Sequence, residues 1–222
     1  MSFIGKIPVW KEPLPGDPQG LPGSQVIVMI EELLLGNRTF RENDFNANIE
    51  YYRNLVLGQS PEVLWIGCSD SRVNPERITG AKPGEIFVQR NIGNIVPMHD
   101  WNFATVLEYA VAHLKIKEIV ICGHSECGAI KALDKESIGD SYIPLWLNNA
   151  HDAKTRVESR IAAPSNDDER KARSKMIEQE NVRLQIEHLK TYPIIRAALN
   201  EERIKIYGLY YDLATGTLEK MA

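Results

Sequence analysis

The chain has few cysteines, no long apolar run and no surplus of basic residues, and each shortage excludes a class of protein. Three cysteines in 222 residues are too few, and odd in number, for the paired disulfides of a small secreted domain. No apolar run approaches the ~18 residues that cross a bilayer. Lys+Arg number 26 against 30 Asp+Glu, so the chain lacks the basic footprint of a nucleic-acid binder. We therefore expect a cytoplasmic protein whose partners include neither nucleic acid nor membrane.

The first 24 residues differ from the rest of the chain. They contain five prolines and nothing typical of a signal peptide or an anchor. Because proline fixes φ and lacks an N–H group, we predict an extended Pro/Gly-rich arm over residues 1–24. Residues 25–222 are predicted to form a single catalytic domain, since a chain of this length buries about 70% of its surface on folding.

Short apolar runs alternate with helical patterns through the rest of the sequence. Strands are predicted at 63–67, 85–89, 118–123, 205–211 and 217–221. Helices are predicted at 25–36 (with Gly36 as the stop), about 45–57, around 103–114, after Cys127 and within 167–190. Strands separated by helices indicate βαβ units. The prediction is an α/β fold whose mainly parallel central sheet, about four parallel strands plus an antiparallel edge strand, is covered by helices.

Two polar strings follow predicted strands. The first is Cys68-Ser-Asp70-Ser-Arg72, and the second is His124-Ser-Glu-Cys127. The carboxyl ends of parallel strands lie at one edge of a sheet, where ligands bind in such folds. Two thiolates and an imidazole form a soft ligand set that suits Zn²⁺, and three protein ligands are typical of a catalytic zinc site. The strings therefore predict a zinc ion held by Cys68, His124 and Cys127.

Asp70 has two possible roles beside such a metal. It can be the fourth ligand in a closed state, or it can pair with Arg72, whose planar guanidinium suits bidentate binding of a carboxylate. Two alternatives stay open at this point. A cysteine nucleophile paired with His124 would leave Asp70 and Arg72 without a role, and a structural zinc module would need Asp70 on the metal permanently. Cys122, inside an apolar run, is predicted to be a buried small hydrophobe.

From about Gln25 to Met221 the chain resembles the β-class carbonic anhydrases. The resemblance rests on Cys68-Ser-Asp-Ser-Arg72 and Gly123-His-Ser-Glu-Cys127-Gly, with the segments 83–94, 107–111 and 207–213 in the same order. It implies reversible hydration of carbon dioxide to bicarbonate and a proton by attack of zinc-bound hydroxide. It also implies one zinc ion per subunit on the three ligands named above, an Asp70–Arg72 gate, and self-association as a homodimer or tetramer.

The resemblance assigns two further sets of residues. Those implied to line the substrate pocket are Gln59, Phe87 and Tyr109, with Gln59 as the hydrogen-bonding group. Those resembling a noncatalytic bicarbonate site of one subtype are Trp65, Arg90 and Tyr211. If this second set regulates the enzyme, activity should rise sigmoidally with pH and fall with added bicarbonate. The alternative interpretation of Trp65 is a core aromatic residue on a strand.

A second substrate class fits the same scaffold. Carbonyl sulfide and carbon disulfide are also linear and electrophilic at carbon, so the same nucleophile could attack them. A carbonyl sulfide or carbon disulfide hydrolase is therefore the alternative function that the sequence leaves open.

Overall fold

A five-stranded sheet organises the larger part of the chain, in a computed structural model that describes residues 30–135 and 140–221. The strands are β1 (Val63–Cys68), β2 (Ile86–Asn91), β3 (Glu118–His124), β4 (Lys205–Tyr211) and β5 (Leu218–Met221). Their order across the sheet is β2-β1-β3-β4-β5. The first four strands are mutually parallel, and β5 pairs antiparallel with β4. The predicted fold class is confirmed, whereas the predicted arm, residues 1–24, lies outside the described residues.

Eight α-helices occur in the described part of the chain. They are α1 (Ile30–Phe40), α2 (Ile49–Leu55), α3 (Pro75–Thr79), α4 (Trp101–Glu108), α5 (Gly128–Ala132), α6 (Ile143–Glu158), α7 (Asp167–Thr191) and α8 (Pro193–Asn200). Five-residue π-helical segments follow α1 and α4, at Arg41–Phe45 and Tyr109–His113. Among these helices none combines the length and the apolar character that crossing a bilayer requires.

Gly36 does not end the first helix, so that prediction is wrong. It lies inside α1, which continues to Phe40. A glycine in a helix interior costs only about 1 kcal/mol relative to alanine, which is too little to stop a helix whose other residues favour it. The sequence patterns also did not predict α3, α6 or α8.

The chain divides into two compact units, one ending at Asn54 and the other beginning at Leu55. In the first unit none of the described residues is fully buried. Its aromatic rings form a small cluster, in which Phe45 stacks on Tyr52 with ring centroids 4.9 Å apart. The second unit holds the sheet and both polar strings. The domain limits predicted from the sequence, 1–24 and 25–222, stay a prediction.

The main core of the second unit lies on one face of the sheet. Ile119 and Ile121 of β3 are fully buried there against α4, α7 and α8. Val120 and Cys122 point to the opposite face and pack with Trp65 in a smaller cluster. A strand buried on both faces accounts for the unbroken apolar run in this part of the sequence.

Two glycines let α7 pack closely on the sheet. A Cβ atom on Gly123 of β3 would lie 2.6 Å from Cγ2 of Val182, and one on Gly208 of β4 would lie 3.0 Å from Cγ1 of the same residue. Both distances are shorter than normal van der Waals contact, so neither position accepts a side chain without movement. The close approach places α7 beside the carboxyl end of β3.

Candidate metal centre

The two polar strings meet at the carboxyl ends of β1 and β3. These strands are parallel neighbours, with Gly67 opposite Cys122, so Cys68 and His124 finish at the same edge of the sheet. Cys127 follows three residues after His124 and is the N-cap residue of α5. The Sγ atoms of the two cysteines and a ring nitrogen of His124 all lie within 4.8 Å of one another, and all three residues are buried.

A tight turn brings Cys127 back to the strand end. The Ser125 backbone N–H donates to the carbonyl of Tyr211 at 2.9 Å, and the Ser125 hydroxyl accepts from the Leu213 N–H at 2.8 Å. Glu126 has a φ of +59°, in the left-handed region that residues other than glycine rarely adopt. Backbone in such a conformation persists only where the surroundings enforce it, and it is frequent at functional sites.

The ring of His124 is oriented as a metal ligand requires. Its Nδ1 lies 2.8 Å from the carbonyl oxygen of Ser125, which can only accept a hydrogen bond, so Nδ1 carries the proton. The buried Nε2 then presents a lone pair, and no hydrogen-bond partner for it occurs within the described residues. An unpartnered buried acceptor is costly, and a soft divalent cation would satisfy it. Together with two thiols, this donor set fits zinc.

The two thiols of the cluster interact directly. A hydrogen bond from Cys127 lowers the pKa of the Cys68 thiol to about 4, against the opposing effect of burial, and the backbone N–H groups of Gly93 and Asp70 act in the same direction. The same hydrogen bond, with burial, raises the pKa of Cys127. A metal ligand must be a deprotonated thiolate, so a cation bound at this pair would release protons from it. Cys122 remains apart, 2% exposed in the core, where burial raises its pKa to about 12.

Asp70 is held by Arg72. Arg72 Nε donates to Asp70 Oδ1 at 2.9 Å, Nη2 donates to Oδ2 at 2.7 Å, and the Arg72 backbone N–H donates to Oδ1 at 3.0 Å. These bonds from Arg72 lower the pKa of the Asp70 carboxyl to about 2. Arg72 Nη2 also donates to the carbonyl of Glu126 at 3.1 Å and so joins the two polar strings. Asp70 Oδ2 is 3.8 Å from His124 Nε2, beside the cluster but directed to Arg72.

The structure brings together two of the three predicted pocket residues. The rings of Phe87, on β2, and Tyr109, the first residue of the π-helical segment after α4, have centroids 5.9 Å apart. Phe87 is half-buried, whereas Tyr109 is 43% exposed. Gln59 is exposed in the loop that precedes β1.

The residues of the predicted bicarbonate site lie on three different strands, Trp65 on β1, Arg90 on β2 and Tyr211 on β4. Trp65 is 3% exposed, and Tyr211 packs in the same apolar cluster on the second face of the sheet. The indole Nε1 of Trp65 is buried and has no hydrogen-bond partner in the part of the chain that the structure describes. Arg90 donates from Nε to the Cys68 carbonyl at 2.8 Å and from Nη2 to the Asp70 carbonyl at 2.6 Å. It therefore braces the backbone of the first polar string.

The sequence patterns missed two residues beside the cluster, Glu178 and Tyr210. Glu178 is 3% exposed and accepts hydrogen bonds from the Cys127 backbone N–H and from the Tyr210 hydroxyl. The apolar residues Val182, Ile186 and Leu189 form a stripe at helical spacing within the helix predicted at 167–190, and Val182 and Leu189 are fully buried in α7. Glu178 lies four residues before Val182, on the stripe itself. A glutamate at the helical spacing of an apolar stripe is the sequence signal that indicates a buried carboxylate here.

Comparison with known proteins agrees with this geometry. A sequence model of the carbonic anhydrase family matches residues 63–218. The chain is 37% identical over 193 residues to a carbonic anhydrase of Synechococcus elongatus, covering 84% of this chain and 70% of the relative. It is 34% identical over 197 residues to a carbonic anhydrase of Helicobacter pylori, covering 84% of this chain and 88% of the relative.

The chain belongs to the β-carbonic anhydrase family. Its fold is similar to that of tetrameric β-carbonic anhydrases from Sordaria macrospora, with a TM-score of 0.80, 35% identity and coverage of 86% of this chain and 96% of that one. A Coccomyxa β-carbonic anhydrase in complex with acetazolamide has a TM-score of 0.80 at 32% identity, and the match covers 87% of this chain and 86% of that one. As a carbonic anhydrase the chain is an enzyme, and the interconversion of carbon dioxide and bicarbonate is the activity of its family.

Proposed function

We propose that this chain catalyses the reversible hydration of carbon dioxide to bicarbonate and a proton, with one zinc ion per subunit bound by Cys68, His124 and Cys127. The observation that carries the proposal is the cluster itself, in which three soft donor atoms lie within 4.8 Å of one another. The unpartnered Nε2 of His124 supports the same assignment. Family membership supports the reaction, and the chemistry of the donors supports the metal.

The protein groups around the metal have separate roles in this proposal. Zinc, when bound, lowers the pKa of a water molecule toward about 7 and so makes a nucleophile available at neutral pH. Asp70 stays ionised at that pH, because Arg72 lowers its pKa to about 2. Its carboxylate can therefore accept a hydrogen bond from the reacting water and aim a lone pair of that water at the carbon of the substrate.

Asp70 and Arg72 form the proposed gate. With Arg72 bound to both of its oxygens, Asp70 is held by another partner, and zinc bound by the three donors would keep a position for water. When the pair separates, Asp70 is free to become the fourth ligand and close the site. Asp70 Oδ2 lies 3.8 Å from His124 Nε2, and this proximity supports the role of Asp70 as a ligand in the closed state.

The proposed substrate pocket suits a small apolar molecule. The rings of Phe87 and Tyr109 provide apolar walls that exclude bulk water from the reacting carbon. The Gln59 side chain carries N–H donors that can bind an oxygen of the product bicarbonate.

A bicarbonate site at Trp65, Arg90 and Tyr211 is proposed as a regulator of the gate. Arg90 contacts the backbone carbonyls of Cys68 and Asp70, so an anion that draws its guanidinium away would release the first polar string. The unpartnered Trp65 Nε1 offers a donor to that anion. Added bicarbonate is therefore expected to slow hydration in the wild-type chain and to do so less in Trp65→Phe.

Self-association as a homodimer or tetramer is part of the proposal. The Sordaria macrospora proteins of similar fold are described as tetrameric, which supports it. A cytoplasmic location stays a prediction from the sequence.

The test is a stopped-flow assay of carbon dioxide hydration together with analysis of bound zinc. Wild-type protein is expected to hold one zinc ion per chain and to be active. Cys68→Ser is expected to lose zinc, with a rate that falls by more than the about 10- to 100-fold typical of losing an outer-shell contact. Cys122→Ser, a buried cysteine outside the cluster, is the matched control and is expected to keep both zinc and activity.

Two results would contradict the proposal. If Cys68→Ser keeps its full zinc content and an unchanged turnover, the proposed metal site is wrong. If the wild-type chain, assayed in parallel, is much more efficient with carbonyl sulfide than with carbon dioxide, the proposed substrate is wrong and carbonyl sulfide takes its place.

A further inference from the structure

A buried carboxylate from α7 contacts the backbone of the second cysteine of the cluster. Oε1 of Glu178 accepts a hydrogen bond from the Cys127 backbone N–H at 3.1 Å. Its other oxygen, Oε2, accepts from the Tyr210 hydroxyl at 2.6 Å. Glu178 is 3% exposed and Tyr210 is 1% exposed, so both bonds are shielded from water. Hydrogen bonds that are shielded from water in this way are stronger than the same bonds in solvent.

The close packing of α7 on β3 places this carboxylate beside Cys127. Gly123 immediately precedes His124, and a Cβ atom there would lie 2.6 Å from Val182 and 3.5 Å from the backbone oxygen of Glu178. The absence of a side chain at this position is what lets α7 lie against the end of β3. Tyr210 pairs with Gly123 across the two parallel strands, so the hydroxyl that orients Glu178 comes from the adjoining strand.

Cys127 depends on an external partner for its orientation. It is the N-cap residue of α5, a helix of only five residues, and its own side chain makes no capping hydrogen bond within the described structure. The preceding residue, Glu126, is in the left-handed conformation at φ +59°. A short helix and a strained turn do not hold a backbone position by themselves. The bond to Glu178 ties the last residue of the turn to the long helix α7.

We propose that Glu178 is a positioning residue of the metal centre: by accepting the Cys127 backbone N–H it fixes the turn that directs the Cys127 thiol toward Cys68 and His124. Tyr210 holds the Glu178 carboxylate in the orientation that makes this bond. The inference rests on the proposed function, because it takes the three donors to be zinc ligands. Outer-shell partners of this kind orient the ligands, and their loss weakens metal binding by about 10- to 100-fold.

Zinc affinity, measured by competition with a chromophoric chelator, tests the inference independently of turnover. Glu178→Ala is expected to bind zinc about 10- to 100-fold more weakly than the wild-type chain. Glu178→Gln is expected to restore nearly wild-type affinity, since its amide oxygen still accepts from the Cys127 N–H and its amide nitrogen can donate to the Tyr210 oxygen. The visible spectrum of the cobalt-substituted protein should change in Glu178→Ala and be preserved in Glu178→Gln.

Glu180 supplies the matched control on the same helix. It is 5% exposed, and its carboxylate lies 3.4–3.5 Å from guanidinium nitrogens of Arg156, Arg160 and Arg183. Glu180→Ala therefore removes another buried carboxylate from α7 and is expected to lower the midpoint of urea unfolding. Its zinc affinity and its cobalt spectrum should match those of the wild-type chain.

The possible outcomes separate this inference from the proposed function. Unchanged zinc affinity in Glu178→Ala overturns this inference and leaves the proposed function standing. If Glu178→Ala and Glu178→Gln lose zinc affinity equally, the charge of Glu178 matters rather than its hydrogen bond, and the positioning role is overturned. Failure of the wild-type chain to bind zinc overturns both proposals. If Glu178→Ala does not fold, Tyr210→Phe decides: a weaker zinc affinity supports the inference, and an unchanged affinity overturns it.

Discussion

Single hydrogen bonds determine which groups of the candidate metal centre are available for chemistry. The bond from His124 Nδ1 to the Ser125 carbonyl leaves Nε2 with a free lone pair. The bonds from Arg72 hold both Asp70 oxygens in place and lower the pKa of the carboxyl to about 2. At this scale the candidate site is a set of three donors beside a carboxylate whose position depends on one arginine.

Removing Arg72 should therefore reduce activity without removing the metal ligands. In Arg72→Ala, Asp70 loses its bidentate partner and is free to occupy the metal. We expect the hydration rate to fall by about 10-fold or more, the lower end of the effects seen for outer-shell residues, with zinc content unchanged. The measurement is stopped-flow hydration with parallel metal analysis.

Arg203→Ala is the matched control for the Arg72 variant. Arg203 also pairs with an acidic residue two positions away, Glu201, but on an exposed turn. Its loss should leave the hydration rate unchanged, since exposed ion pairs contribute little. A normal rate in Arg72→Ala would show that Arg72 does not hold the gate open.

At the scale of secondary-structure elements, close packing of α7 on the sheet brings this helix to the candidate site. The long helix α7 contributes Glu178 to the cluster, and it does so through the gap at Gly123 and Gly208. The same helix buries Val182 and Leu189 in the main core. Packing of α7 on the sheet and the geometry of the metal centre are thus one structural feature.

A side chain at Gly123 should disturb the packing of α7 on the sheet and so destabilise the fold. In Gly123→Ala the new Cβ atom would meet Val182 Cγ2 at 2.6 Å, so α7 and β3 must separate. Overpacking of this kind costs about 1–3 kcal/mol of unfolding free energy. Urea denaturation of the purified variants measures it.

Gly128→Ala is the comparison for the Gly123 variant. A Cβ atom there would find none of the described atoms within 4 Å, and the residue lies at the start of α5. Its stability should equal or slightly exceed that of the wild-type chain, because alanine favours helix over glycine. Equal stability of the Gly123 and Gly128 variants would show that α7 tolerates displacement.

At the scale of the whole molecule, exposed apolar side chains support the proposed self-association. The first unit exposes five large ones on α1: Ile30, Leu33, Leu34, Leu35 and Phe40. Leu33 is 58% exposed and Leu34 is 57% exposed. Clustered exposure of this kind marks interaction surfaces, and a second copy of the chain is the proposed partner.

Sedimentation equilibrium should therefore give a mass of at least two chains. Leu33→Glu is expected to weaken association markedly, since it places a charge where apolar surface would be buried. Ala172→Glu adds the same charge at an exposed position of α7 and should leave the mass unchanged. A fully active wild-type monomer would contradict the proposed oligomer.

Local patterns in the sequence were sufficient to predict the sheet and the cysteine–histidine cluster. The unbroken apolar run at 119–122 predicts a strand that is buried on both faces of the sheet. The polar strings at Cys68 and His124 follow those strands directly, so parallel pairing alone brings them to one edge. These inferences need only short-range periodicity and the general rules of parallel sheets.

The contacts of Glu178 and the state of the Asp70–Arg72 pair depend on groups far apart in the chain. Glu178 is 51 residues from the Cys127 N–H that it accepts, and Arg72 is 54 residues from the Glu126 carbonyl. The charge of Glu178 favours an exposed face, and only the packing of α7 against Gly123 reverses that preference. Burial and long-range hydrogen bonding arise from how elements fit together, and local periodicity carries no information about that fit.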